Sequence, residues 1–136
     1  MARTLYVEIV SPDGPAFRGE ASSFRAPGVE GSFEVLYNHA AMIAATEVGM
    51  TRIVDPDGNR LLFATSEGFV EILDNRVIMV VETAEASSAI DVELAREAEM
   101  RAARRLAEGL SPEERAEAEM ERERARNRLR AAMARV

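Results

Sequence analysis

The sequence is 136 residues long, 47% hydrophobic and 30% charged, with no Cys, no Trp, one His and a formal net charge of −7. Such a length suits one ordinary domain or two small ones, and the lack of Cys excludes disulfide frameworks and thiolate-based metal or redox sites. The longest uncharged stretch, residues 35–46, is too short for a spanning helix, which needs about twenty apolar residues, and the acidic balance argues against wholesale binding to nucleic-acid phosphates.

Met1 to Thr4 lead straight into an alternating pattern, with no signal or transit peptide in view. Leu5, Val7 and Ile9 alternate with Thr4, Tyr6 and Glu8, the period of a half-buried strand. Ser11-Pro12-Asp13-Gly14-Pro15 is turn chemistry, because Pro presets φ and Gly accepts positive φ. Further strands are predicted over 16–19, 21–26, 32–36, 41–46, 50–54, 60–65, 69–73 and 76–83. Residues 50–65 read as a hairpin across Pro56-Asp57-Gly58-Asn59, and 69–83 as another across Asp74-Asn75. Turn signals every 8–12 residues predict an antiparallel β-sandwich or barrel of about ten short strands.

At Ala89/Ile90 the composition changes. Residues 1–89 carry 6 Arg against 13 Asp or Glu, the whole of the net charge, together with every aromatic and every Thr. Residues 90–136 carry 11 Arg against 11 acids and consist mainly of Ala, Glu, Arg, Leu and Met. Strand formers stop where helix formers begin. The division predicts a β-sandwich domain over 1–86 and a two-helix hairpin over 87–136, with helices at about 91–108 and 112–135. Asp91 is the first cap and Gly109 the first stop. Ser111-Pro112-Glu113-Glu114 restarts the chain with a capping box. The apolar stripe is thin: Ala95, Ala98, Ala102 and Leu106 on one helix, Ala118, Ala125, Leu129, Ala132 and Met133 on the other. Ala buries little surface, so the two helices are expected to dock weakly and to be able to open.

Catalytic chemistry finds few candidates. All seventeen basic residues are Arg, so there is neither thiol nor Lys amine for nucleophilic catalysis, and no second His for a metal pair. Gly28-Val29-Glu30-Gly31 leads into a strand instead of a helix, unlike a phosphate cradle. His39 has apolar neighbours, and a structural role in its loop outweighs acid–base work. The run Arg122, Arg124, Arg126, Arg128 and Arg130 turns 200° per step and spreads around a helix. It reads either as a solvated helix end suited to the backbone dipole or as a basic tip meeting an acidic partner. On residues alone, a free-standing β-sandwich binding module with a helical oligomerisation tail also fits.

The ordered elements Gly28-Val29-Glu30-Gly31-Ser32-Phe33-Glu34-Val35-Leu36, Asn38-His39-Ala40, Gly49-Met50-Thr51-Arg52-Ile53, Ser66-Glu67-Gly68-Phe69-Val70-Glu71-Ile72, Asn75-Arg76-Val77, Glu82-Thr83-Ala84-Glu85 and Ile90-Asp91 together resemble the epsilon-subunit family of bacterial F-type ATP synthases, the counterpart of mitochondrial delta. The resemblance spans the whole chain, although Tyr37 and Ala41 stand where the family often has Pro. It implies a non-catalytic rotor part that grips the gamma subunit and rests on the c-ring, coupling proton flow to ATP synthesis. It places the chain peripherally at the cytoplasmic face of the bacterial inner membrane, without insertion. Gly28, Val29, Glu30, Gly31 and Ser32, with the nearby Asn38, His39 and Ala40, match the c-ring-facing region. The hairpin matches a brake that inhibits ATP hydrolysis when extended, its Arg tip touching the alpha/beta catalytic hexamer in passing. Some members bind ATP on the folded hairpin. Here Ile90, Asp91 and Ala95 match that motif and Arg101, Arg124 and Arg128 could supply basic contacts, but Leu94 stands where an Arg belongs. No cofactor is therefore expected, with ATP binding weak or absent.

Overall fold

The computed structural model describes residues 3–134. Its strands are β1 (Leu5–Ser11), β2 (Gly14–Ala21), β3 (Ser23–Ala26), β4 (Phe33–Val35), β5 (Met42–Thr46), β6 (Gly49–Val54), β7 (Arg60–Thr65), β8 (Gly68–Leu73), β9 (Arg76–Val81) and β10 (Ala84–Ala86). A 3₁₀ turn, Ser87–Ala89, precedes helices α1 (Val92–Leu106) and α2 (Pro112–Met133).

The alternating residues of β1 do what their period requires: Leu5, Val7 and Ile9 are buried while Tyr6 and Glu8 lie on the other face. Two five-stranded sheets form, ordered β2-β1-β9-β8-β5 and β10-β7-β6-β3-β4. Every pairing is antiparallel except β1 with β9. The core is made by the inner faces: Val7, Ile9, Val70, Ile72, Val77 and Met79 from the first sheet, Phe24, Val35, Ile53 and Phe63 from the second. Each large aliphatic side chain so buried contributes about 1.5–3 kcal/mol. Two of the buried polar side chains satisfy each other, since the Thr51 and Thr65 hydroxyls are 2.9 Å apart and hydrogen-bonded.

Both predicted hairpins are present, β6–β7 and β8–β9. In the second, Asp74 and Asn75 have φ of 50° and 62°, the left-handed pair of a tight type I′ turn. Several strand boundaries move by one or two residues, Ala21 for example closing β2 instead of opening the strand predicted over 21–26, and two differences have a clear physical cause. Pairing of β1 with β2 begins at Ser11 and Gly14, so Pro15 lies inside a strand. It is tolerated because β2 is an edge strand and a register shift between Ile9 and Val10 absorbs its missing N–H. The predicted strand 76–83 stops at Val81, because the Thr83 N–H donates to Ser66 Oγ at 2.8 Å and the chain resumes as β10 in the other sheet.

The chain divides into two compact units, the sandwich ending at Ala86 and a helical unit beginning at Ser87. In the helical unit, Asp91 caps α1 by accepting the Leu94 N–H at 3.1 Å. Helix α1 ends at Leu106, two residues before the expected 108. The expected end of the second helix, residue 135, lies outside the described residues. Ala95 and Ala102 bury the inner face of α1, and Ala118 and Ala125 that of α2. Inter-helix ion pairs Arg105–Glu121 and Arg126–Glu99, each 2.9 Å, hold the antiparallel register. The α2 stripe expected through Met133 is corrected at that residue, while Leu129 and Ala132 are half-buried on the side of Ala118 and Ala125. Met133 is exposed, and the further buried residues are Asn127 and Ala131, on the opposite side of the cylinder from Ala118 and Ala125. A helix with two narrow buried sides carries no single stripe to read.

The capping box forms as predicted: the Glu114 N–H donates to Ser111 Oγ and the Ser111 N–H to Glu114 Oε1, both at 3.2 Å. Hydrogen bonds from Ser111, the hydroxyl foremost and then the backbone N–H, hold the Glu114 carboxyl below the ordinary glutamate range, helped by the charge of Arg105. A carboxyl depressed in the folded state adds stability above its unfolded value and loses it as pH falls through the folded one. Helicity measured by circular dichroism should therefore fall as pH drops below the ordinary carboxylate range, and Glu114→Gln should flatten that part of the profile. Ser111→Ala should cost about 1 kcal/mol of stability at neutral pH. A difference between wild type and Glu114→Gln that does not change with pH would contradict this account.

Candidate functional site

The outer face of the first sheet is divided lengthwise. On its β1 side Glu8 lies 3.7 Å from Arg18 and 3.8 Å from Arg76, and the Arg76 guanidinium stacks 4.8 Å above the Tyr6 ring. On its β5 side the surface is mainly apolar, interrupted by the exposed carboxylate of Glu71. Ile43, Phe69 and Leu73 are 73%, 47% and 50% exposed, and Ile78 and Val80 on β9 are half-buried beside them. Register aligns Ala45, Phe69 and Val80 in one row and Ile43, Glu71 and Ile78 in the next. Exposed large apolar side chains grouped in this way around a single carboxylate are more than the scattered ones that a surface normally shows. Its position follows from the strands: inner residues Val70 and Ile72 alternate with outer Phe69 and Leu73, so core and surface share one backbone.

Two loops flank this face. The Gly28–Ser32 loop is fixed at the far end of β5. Gly28 bridges to Thr46, the Val29 N–H donates to Ala45 O at 3.0 Å, and the Glu47 N–H to Pro27 O at 2.9 Å. A Cβ on Gly28 would press on the Gly31 carbonyl and the Phe33 ring, so the turn closes only with Gly there. Val29 and Glu30 are left exposed at the tip, and Ser32 accepts from Arg25 Nε at 3.0 Å. Asn38, His39 and Ala40 lie elsewhere. The Asn38 N–H bonds to Asn75, in the β8–β9 turn at the start of β5. The expected nearness of the two segments is thus corrected: four strand steps, about 13 Å at 3.3 Å per residue, separate the ends of β5 that they occupy.

His39 is half-buried with Nδ1 2.7 Å from the Ala40 carbonyl oxygen, which accepts only if that nitrogen carries the proton. That bond serves the loop. Among the described residues, no group of His, Cys, Asp or Glu is arranged to hold a metal.

The residues matched to nucleotide binding are occupied in helix structure. Asp91 caps α1, Ala95 is fully buried, and Ile90, Arg124 and Arg128 are half-buried, leaving Asp91 and Arg101 exposed. Leu94 is 55% exposed and offers no charge. In the Arg run, Arg126 is paired with Glu99, Arg130 with Glu123 at 3.1 Å, and Arg122 is half-buried. Closed, the hairpin neutralises part of its own basic end. Such exposed pairs are worth about 0–1 kcal/mol each, little to break.

Sequence reading missed the apolar face itself. Its signal was present in Val77-Ile78-Met79-Val80-Val81, an unbroken apolar run where a strand solvated on one face would alternate.

Residues 4–87 match the family described as "ATP synthase, Delta/Epsilon chain, beta-sandwich domain". An ATP synthase epsilon chain of Salinibacter ruber is 51% identical, the match covering 100% of this chain and 97% of that one. Among solved structures, a chain of the Euglena gracilis mitochondrial ATP synthase (OSCP/F1/c-ring, rotational state 1) superposes with a TM-score of 0.80 at 19% identity, covering 97% of this chain and 82% of that one. One from the Tetrahymena thermophila mitochondrial ATP synthase central stalk and c-ring gives 0.60 at 16% identity, covering 95% and 96%.

Proposed function

The chain belongs to the ATP synthase delta/epsilon family, and from that premise we propose that it is a central-stalk subunit whose sandwich grips gamma through the outer face of the first sheet. The apolar strip of Ile43, Phe69 and Leu73 carries this reading, since its exposure in water is unfavourable until a partner covers it. The Gly28–Ser32 loop then faces the c-ring, with Glu30 at its tip, and Asn38, His39 and Ala40 border the gamma contact at the other end of β5. Rotation passes between proton flow and ATP synthesis through this part without any chemistry of its own. No helix among the described residues is long and apolar enough to cross a membrane. The place proposed for the chain is peripheral, at the cytoplasmic face of the bacterial inner membrane, held through the complex.

Residues 1–86 act here as the grip and 87–136 as the brake. When the hairpin opens, the Arg126–Glu99 and Arg105–Glu121 pairs separate. Arg122, Arg124, Arg126, Arg128 and Arg130 become available to acidic segments of the alpha/beta catalytic hexamer. Helices of 15 and 22 residues reach about 22 and 33 Å. ATP does not stabilise the closed form appreciably, because one phosphate contact is missing at Leu94. A charge-assisted hydrogen bond contributes about 1.5–3 kcal/mol, or tenfold and more in affinity.

A tagged chain should co-purify with gamma and the catalytic hexamer. Ile43→Asp should weaken gamma binding by about 2 kcal/mol, some thirtyfold, at unchanged melting temperature. Elution of the wild-type chain alone would favour a free-standing binding module with a helical oligomerisation tail. Deleting residues 90–136 should raise ATP hydrolysis by the assembled enzyme, and unchanged hydrolysis would remove the brake from the account. Isothermal titration of the isolated chain should detect no micromolar ATP site, whereas Leu94→Arg should tighten whatever binding exists by about tenfold. Micromolar binding by the wild type would overturn this part.

A further inference from the structure

The connection from β4 to β5, residues 36–41, is exposed over most of its length and belongs to neither sheet. Its middle is nevertheless held to a hairpin thirty-seven residues away by two bonds between one pair of asparagines. The Asn38 N–H donates to Asn75 Oδ1 at 2.6 Å, and Asn75 Nδ2 donates to Asn38 Oδ1 at 3.2 Å. The Asn75 carbonyl also accepts the Tyr6 N–H at 2.9 Å, so a single residue joins β1, the β8–β9 turn and the connection. The arrangement needs a primary amide, because the same planar group must both accept and donate. It also needs left-handed backbone at both ends, with φ of 65° at Asn38 and 62° at Asn75, which Asn adopts more readily than most side chains.

What the clamp holds is apolar. Leu36 and Tyr37, both exposed, immediately precede Asn38, and exposed Leu73 immediately precedes the turn that contains Asn75. We propose that Asn75 is a positioning residue: its side-chain amide fixes the 36–41 connection so that Leu36 and Tyr37 extend the apolar docking face at the Leu73 end of β8. Asn75 need not touch the partner, since it acts through Asn38. A free connection would have to be ordered at the moment of binding, at a cost in affinity, and the clamp meets that cost in advance. The inference rests on reading the outer face as the gamma-docking surface, and it specifies what shapes one end of that surface.

The test uses the full chain and two variants. Asn75→Gly keeps the left-handed backbone and the carbonyl for Tyr6 but removes the amide, and Asn75→Asp keeps an acceptor for the Asn38 N–H. In Asn75→Gly, hydrogen exchange followed by NMR should speed up at the Asn38 amide by about fivefold or more, while the Val7 and Val77 amides stay unchanged. Asn75→Asp should restore most of the Asn38 protection. Titration with purified gamma should show Asn75→Gly binding several-fold more weakly than wild type. Unchanged exchange at Asn38 in Asn75→Gly overturns the clamp. Faster exchange with unaltered gamma affinity overturns its role in docking. Failure of the wild-type chain to bind gamma overturns the docking reading and this role with it, while the exchange data, which need no partner, still report separately on the clamp.

Discussion

Strand β1 lies beside β9 in parallel, with Val7 next to Val77 and Ile9 next to Met79. This joins the first strand of the sandwich to one that begins some seventy residues later. Neighbouring β2 and β8 can pair locally through their own hairpins, but without the β1–β9 contact the first sheet would be two separate ribbons. The same pairing puts Tyr6 where its N–H reaches the Asn75 carbonyl and where its ring receives Arg76. Core, clamp and polar margin of the outer face all trace back to it. Such non-local pairing is costly in loop entropy, and the buried Val, Ile and Met side chains it brings together offset that cost.

The two units obey different physics. In the sandwich, large aliphatic side chains from two sheets fill a shared core, and a change of one methylene is felt throughout. In the hairpin, the fully buried facing residues are alanines, and the cross-helix bonds are two ion pairs and a hydrogen bond from Arg115 to the Leu106 carbonyl, all at the surface. The local signals of the helices are strong: Asp91 caps one, the Ser111–Glu114 box starts the other, and acids precede bases along both. Each helix is therefore well specified while its attachment to the other is weak. Opening such a hairpin separates elements that remain helical, which suits a device that works in two positions.

Period and punctuation made most of the fold legible. The alternation in β1, the Asp74-Asn75 turn and the Ser111 capping box are local and physical, so they could be read from neighbouring residues. Long-range requirements could not. Pro15 looked like a strand breaker because its tolerance depends on β2 lying at a sheet edge, a fact of topology. Thr83 looked like strand because only the fold brings Ser66 to its N–H. Nearness in sequence also misled: Gly31 and Asn38 are seven residues apart, yet strand β4 between them carries them to opposite ends of β5. The apolar outer face is hidden from such reading for a related reason. Val77 to Val81 was read as generic strand, although an apolar run without alternation calls for cover on both faces.

A rotor part has to receive force at its surface and pass it on without deforming. On β8 the outer residues Phe69 and Leu73 alternate with Val70 and Ile72, which are almost completely buried, so a load on this face enters the core within one residue. The backbone at that point is confined as well. Gly68 packs so closely on the Val80 carbonyl that no Cβ fits, which brings β8 and β9 together at the row containing Phe69 and Val80. At the other end of β8 the stiffness of the sheet gives way to a connection that the sheet does not hold, and there the Asn38–Asn75 pair takes over the role of the ladder. A surface that must keep its shape under torque needs every apolar residue tied to the core, through its own strand where there is one and through a side-chain clamp where there is none.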